Sequence, residues 1–268
     1  LLTKLLSPPR TSTQIPRLRT PSGNNITSPA SMASALTSFF AQISSNPVVS
    51  ESDQGDILDV FESNCTPLNQ PSAEQAGCLN ISDEEVRSAI KQSNPRTAPG
   101  PDGIPVEIWK WTRDLTAPIL ARVFSAMGND LQQPTGFVHG LLFPIHKGGD
   151  HTDPAMYRPI TVLNTDCRIL AKVLASRWAP LLGKAIGLEQ SAFLPGRQQG
   201  DMALTMQLIP HALRETYQIP RPDKGAPPGA LFVDFHKAYD TIDRLFLLRL
   251  MHAAKAPVSM LKWIALLL

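Results

Sequence analysis

The sequence predicts a mixed α/β (α+β) fold, on three observations. Ser82 stands three residues before Glu85, a capping box that opens an amphipathic helix through Val86, Ala89 and Ile90. Two apolar, β-prone runs, Leu141–His146 and Tyr157–Leu163, flank a loop rich in Gly and Asp, the pattern of a β-hairpin with a long tip. Further on, Leu231, Phe232 and Val233 form an apolar run that ends in a carboxylate, Asp234. Helices and a hairpin therefore precede a strand, and an amphipathic helix is expected from Thr241 onward.

The composition bounds what such a fold can be. The chain has 268 residues, 43% hydrophobic and 18% charged, enough for one large domain with an appendage. Its 25 prolines are scattered, which favours short elements and many loops. Cys65, Cys78 and Cys167 show neither CxxC spacing nor zinc-finger histidines, so they read as reduced thiols of an intracellular protein. The apolar ends LLTKLL and WIALLL are far shorter than the roughly 20 residues of a membrane helix, and neither a membrane nor a secreted role is expected. Net charge is only +2 but unevenly placed. Residues 1–50 carry Lys4, Arg10, Arg17 and Arg19 and no acid, whereas residues 51–86 carry nine acids and no Lys or Arg. Such blocks suit solvated linkers, and the basic arm also suits contact with nucleic acid.

In chain order, residues 1–27 are rich in Ser, Thr and Pro and are expected to be a disordered or linker segment. A short helix is expected over Pro29–Ser44, with Met32, Leu36, Phe39, Phe40 and Ile43 on one side, inside a polar connector over 28–78. The capped helix follows, ending before the turn-dense SNPRTAPGPDGIP. PVEIWKW and TAPILARVFSAM read as two more helices, the second stopping at Gly128. Pro144 and Pro159 stand in the two hairpin arms, so each arm should have an open edge or a bulge. TDCRILAKVLASRW sets Ile169, Leu170, Val173, Leu174 and Trp178 on one helical face, Arg168 and Lys172 on another, and should stop at Pro180. There are no internal repeats.

An acid at the mouth of a strand is a natural metal ligand, because the strand fixes it while its tip meets solvent. Mg²⁺ favours one or two carboxylates plus substrate phosphates. The competing reading is a helix cap, which fits Asp240, next to Thr241, better than Asp234. Lys147 and Arg158 stand at the two ends of the hairpin tip, where cations can grip a triphosphate or simply face water. PGPDG and PGRQQG either present N–H groups to phosphate or only turn the chain.

In succession, TAPGPDGIPVEIWK, FPIHKGGDHTDPAMYRPITVLNTDCRILAKVLASR, EQSAFLPGR and ALFVDFHKAYDTIDR resemble the opening motifs of the reverse transcriptase of LINE-type non-LTR retrotransposons. The resemblance covers about residues 79–268, and PSGNNITSPASMASALTSFFAQI is similar to the connector between endonuclease and polymerase in such proteins. It implies an incomplete right-hand polymerase fold, with fingers over 79–229 and the start of the palm over 230–268. It further implies RNA-directed DNA polymerase activity with Mg²⁺, held by Asp234 and the carbonyl of Phe235. Lys147 and Arg158 would hold the triphosphate, and Tyr239 would bar a 2′-hydroxyl beneath the sugar. Gln190, Phe193 and Arg197 match a motif along the template. The implied partners are an RNA template, a DNA primer, deoxynucleoside triphosphates and the rest of a retrotransposon polyprotein, acting in cytoplasm and nucleus as a ribonucleoprotein.

The sequence departs from that family in one respect. No Asp-Asp pair occurs in the chain, and no Gln-Gly dipeptide follows Asp234, where the family places such a loop before that pair. The expectation is a fragment with fingers and the first part of the palm, inactive as a polymerase by itself. The alternative is a non-catalytic nucleic-acid-binding remnant. An aspartyl phosphotransferase is disfavoured, since its second acid would fall at His236.

Overall fold

The computed structural model describes residues 15–45, 50–68, 78–216, 231–235 and 237–268. The fold is mixed, with helices forming the base and a hairpin rising from it. Two short strands, β1 (Leu18–Arg19) and β2 (Asn25–Ile26), pair antiparallel and lead into α1 (Pro29–Ile43). An acidic helix, α2 (Glu51–Asn64), follows. The helical base comprises α3 (Asp83–Gln92), α4 (Val106–Trp111) and α5 (Arg113–Asp130). Next come the hairpin β3 (Gly140–His146) and β4 (Tyr157–Leu163), then α6 (Thr165–Ala185) and α7 (Gln199–Thr216). The chain closes with α8 (Arg244–Ala253) and α9 (Val258–Leu267). No helix among the described residues is long and apolar enough to cross a membrane.

The main core lies where α3, α5, α6 and α9 meet. Val86 and Ile90 of α3, Phe124 of α5, Leu170 of α6 and Trp263 of α9 are sealed there. The Ser82 capping box is present in full, its hydroxyl accepting from the Glu85 N–H while the Glu85 carboxylate accepts from the Ser82 N–H at 2.9 Å. Arg177 of α6 clamps the same carboxylate with two nitrogens and donates to the carbonyls of Cys78 and Asn80. Burial alone would raise the Glu85 carboxyl, but the hydrogen bonds from Arg177 and Ser82, with the Arg177 charge, pull it down to about 2. The start of the base is thereby tied to the middle of α6.

Several elements differ from the sequence expectation, each for a physical reason. Residues 15–27 are not a linker: Leu18 is fully buried in a second cluster with Met32, Leu36, Phe40 and Tyr157. The acidic stretch is not linker throughout either, because Ser50 caps α2 through the Asp53 N–H and α2 packs on α8. A block of acids without bases is tolerated at a helix N-terminus, where the dipole favours Glu51 and Asp53. Gly128 does not end α5. A Cβ there would stand 2.5 Å from the Trp263 ring, so the glycine admits α9, and the helix ends at Leu131 in the left-handed conformation. Pro180 does not end α6, which runs on to Ala185. The lost backbone bond is offset by burial of Leu181 against Leu68, Ala254 and Met260 in a third cluster.

The hairpin has no bulge. Pro144 and Pro159 face each other in register, and in a two-stranded sheet each arm keeps an open outer edge. The strand expected at Leu231–Val233 is not part of any sheet. Those residues are 88%, 80% and 70% exposed, and no described strand lies beside them to complete a ladder. The helix expected from Thr241 starts at Arg244, capped by Asp243, whose side chain accepts from the Phe246 N–H at 3.0 Å. Neither Asp234 nor Asp240 is that cap.

Candidate functional site

The hairpin sets two cations on one face. Ile145 pairs with Arg158, and residues opposed in an antiparallel ladder point to the same side. Lys147 follows two positions after Ile145, so it shares that side, and its N–H donates to the Met156 carbonyl at 3.0 Å. Both side chains are exposed. The tip is stiff: Asp150 accepts from the Thr152 N–H and hydroxyl at 2.8 Å each, and Tyr157 donates to the His151 carbonyl at 2.8 Å. The Thr152 bonds hold the Asp150 carboxyl below the ordinary carboxylate range. The N-terminal segment grips this tip as well, through the Arg19 N–H to the Thr152 carbonyl at 2.7 Å and an Arg19–Asp150 ion pair at 3.3 Å.

The turn after Asp234 is compact. The Lys237 carbonyl accepts from the N–H groups of Asp240 and Thr241 at 2.9 and 3.2 Å, and Lys237 has a left-handed φ of 50°. Non-glycine residues in that region store strain and concentrate at functional sites. Phe193 is another, at φ 63°, and its ring meets Tyr239 edge-on at 6.4 Å between centroids. The turn and the PGR loop therefore meet, although they are far apart in sequence. Lys237 reaches toward α1. Burial, followed by the Lys147 charge, lowers its pKa against the pull of Asp240 and Asp153. Its ammonium lies 4.4 Å from the centroid of the Phe39 ring of α1.

The remaining expected residues divide. Asp234 and Phe235 are exposed, and no described hydrogen bond or ion pair engages the Asp234 carboxylate. Gln190 is exposed and donates to the Ala192 carbonyl at 3.3 Å. Arg197 is turned inward and donates to the carbonyls of Gly183, Ile186, Gly187 and Gln190, closing the end of α6. Its guanidinium braces the loop rather than projecting from it. PGPDG is likewise braced: the Asp102 N–H donates to Asn164 Oδ1 at 3.1 Å, and a Cβ on Gly100 would collide with Asn164. Arg168 and Lys172 donate to the carbonyls of Ala98 and Gln92, fastening the flanks of the same loop. A cleft of roughly 1100 Å³ between α2, α8 and α9 includes none of the expected site residues. Among the described residues no group of three or more His, Cys, Asp or Glu is gathered to hold a metal.

Residues 145–268, from β3 to the last helix, match the family described as reverse transcriptase (RNA-dependent DNA polymerase). Over somewhat less than half of its length the chain is thus similar to reverse transcriptase. Its relatives include a protein of Xenopus laevis named "Transposon TX1 uncharacterized 149 kDa protein", 26% identical over 170 residues, which are 63% of this chain and 12% of that protein. Another is the "Retrovirus-related Pol polyprotein from type-1 retrotransposable element R2" of Popillia japonica, 30% identical over 165 residues, or 60% of this chain and 20% of the relative. The chain thus spans a small part of the length of either relative. The matched segment contains the hairpin cations, the PGR loop and the Asp234 turn, and it begins beyond α1, which touches the hairpin and the turn.

Sequence reasoning passed over two residues of this site. Lys237 had a visible signal, a cation inside the same short motif as Asp234 and Tyr239. Phe39 had none, since only folding brings α1 to the turn.

Proposed function

We propose that this chain forms the nucleotide-binding part of an RNA-directed DNA polymerase, copying RNA into DNA from a DNA primer. The observation that carries the reading is that three motifs are joined: Phe193 meets Tyr239 edge-on, and α1 holds both that turn and the hairpin, next to an Asp234 carboxylate that no described residue engages. In this reading Lys147 and Arg158 neutralise the triphosphate as its α–β phosphate bond breaks and pyrophosphate leaves. Tyr239 stands beneath the sugar and refuses a 2′-hydroxyl by bulk. Phe193 braces that ring edge-on and keeps it from swinging away. Template and primer would be held through phosphates without reading of sequence.

The donor chemistry at the turn suits Mg²⁺, a hard ion that takes oxygen ligands and keeps substrate phosphates among them. Asp234 and the Phe235 carbonyl would hold it, and the ion supplies charge neutralisation and a more acidic primer hydroxyl. Polymerisation needs two such ions, and the chain's own sequence offers no Asp-Asp pair for the second.

Primer extension tests this directly. By themselves the 268 residues extend no primer on an RNA template. Joined to a strand bearing Asp-Asp they do so with Mg²⁺ and dNTPs, Asp234→Asn abolishes the product, and Tyr239→Val admits ribonucleotides. Extension by Asp234→Asn at the parental rate would refute the assignment. Salt-dependent RNA binding without any deoxynucleotide binding would leave only the non-catalytic reading.

A further inference from the structure

Helix α1 lies outside the reverse transcriptase segment, yet it is fastened to the hairpin from one side and to the Asp234 turn from the other. Toward the hairpin, Leu18, Met32, Leu36 and Phe40 enclose Tyr157. Toward the turn, Phe39 presents its ring face to the Lys237 ammonium at 4.4 Å. Phe39 is itself set by Phe40, whose ring meets it edge-on at 5.4 Å. One helix thus carries adjacent aromatics that face two halves of the site.

We infer that Phe39 is a positioning residue for the nucleotide site: its ring seats the Lys237 ammonium from the same helix that encloses Tyr157 of the hairpin, and so fixes the turn that follows Asp234 and bears Tyr239 relative to that hairpin. A triphosphate entering the site is an anion that the Lys237 ammonium attracts. The aromatic face supplies attraction to Lys237 before the anion arrives. Because the Lys237 carbonyl accepts the Asp240 and Thr241 N–H bonds, seating this one side chain orients the whole turn. This rests on the nucleotide-binding reading above and adds the N-terminal helix to it.

The test uses the 268-residue protein, a fluorescent mant-dATP titration with Mg²⁺, and amide hydrogen exchange of residues 237–241 without nucleotide. Phe39→Leu should weaken mant-dATP binding about fivefold, the scale of a partly desolvated cation–π contact, and speed exchange in the turn. Phe39→Tyr, which keeps a ring, should stay within about twofold. Lys237→Met should match Phe39→Leu in the exchange readout, and the double variant should be no worse there than the single ones, because both remove one contact. Equal loss in Phe39→Tyr and Phe39→Leu, additive effects in the double variant, or an unchanged turn in Lys237→Met would each overturn the inference. Should Phe39→Leu fail to fold, Lys237→Met alone decides it, since that change leaves α1 intact. If the parental protein binds no mant-dATP, the proposed function fails, while exchange in the nucleotide-free protein still judges the seat.

Discussion

Ile90 and Phe124 are sealed among the helices of the base, whereas Leu231, Phe232 and Val233, no less apolar, lie in the open. The base resembles any globular core, with interlocked side chains, a fully made capping box and a glycine placed to admit a tryptophan. The turn region has few contacts, and those it has are specific: one aromatic edge, one cation over a ring, and a left-handed lysine. The contrast teaches that fold and chemistry are supported by different residues here. Stability is concentrated in α3, α5, α6 and α9, while the acid and its neighbours stand exposed beside a lightly held turn. Local stability commonly divides this way, with ligand-binding segments drawn from the less protected end.

Substitutions in the two regions should separate accordingly. Phe124→Ala should have the largest effect, a loss of about 3–4 kcal/mol from the cavity and lost burial, read by urea denaturation. Gly128→Ala should cost about 2 kcal/mol, since its methyl meets the Trp263 ring and the Leu79 carbonyl and neither can yield freely. Glu85→Gln should cost somewhat less, on the order of 1–2 kcal/mol after allowance for the partial exposure of the carboxylate, with the largely buried Arg177 left without its counter-charge.

That last variant also has a pH signature. The folded Glu85 carboxyl sits at about 2, below its ordinary value of 4.5, so its stabilisation is present in full above about 4.5 and is lost as pH falls toward 2. Thermal melts of the parental protein between those values should therefore drop more steeply than those of Glu85→Gln. The smallest effect belongs to the open turn. Leu231→Ser should change stability by less than about 0.5 kcal/mol, because that side chain already faces water.

The same division explains what was legible in the sequence. The capping box at Ser82 and the hairpin arms were readable because each is written in adjacent residues: a hydroxyl and an acid at fixed spacing, or two β-prone runs around a loop. α2 was not, because its acids resemble a linker and only its packing on α8 selects the helix. Gly128 and Pro180 were misleading in one direction, since a local breaker signal yielded to tertiary burial of Trp263 and Leu181. At the site, the types and order of Lys147, Arg158, Phe193, Asp234 and Tyr239 could be read, but the Phe193–Tyr239 contact and the seat of Lys237 on Phe39 join distant segments. Arg197 shows the reverse hazard. As a charged residue in a matching motif it invites a role toward template, whereas its donors close the carbonyl end of α6.

The central claim is that the exposed Asp234 carboxylate works as a metal ligand for a nucleotide held by this chain. A mant-dATP titration of the 268-residue protein, with and without Mg²⁺, tests it most directly when parent and Asp234→Asn are compared at equal melting temperature. The account predicts that Mg²⁺ tightens binding in the parent and makes little difference in Asp234→Asn. The same Mg²⁺ enhancement in both proteins would contradict it.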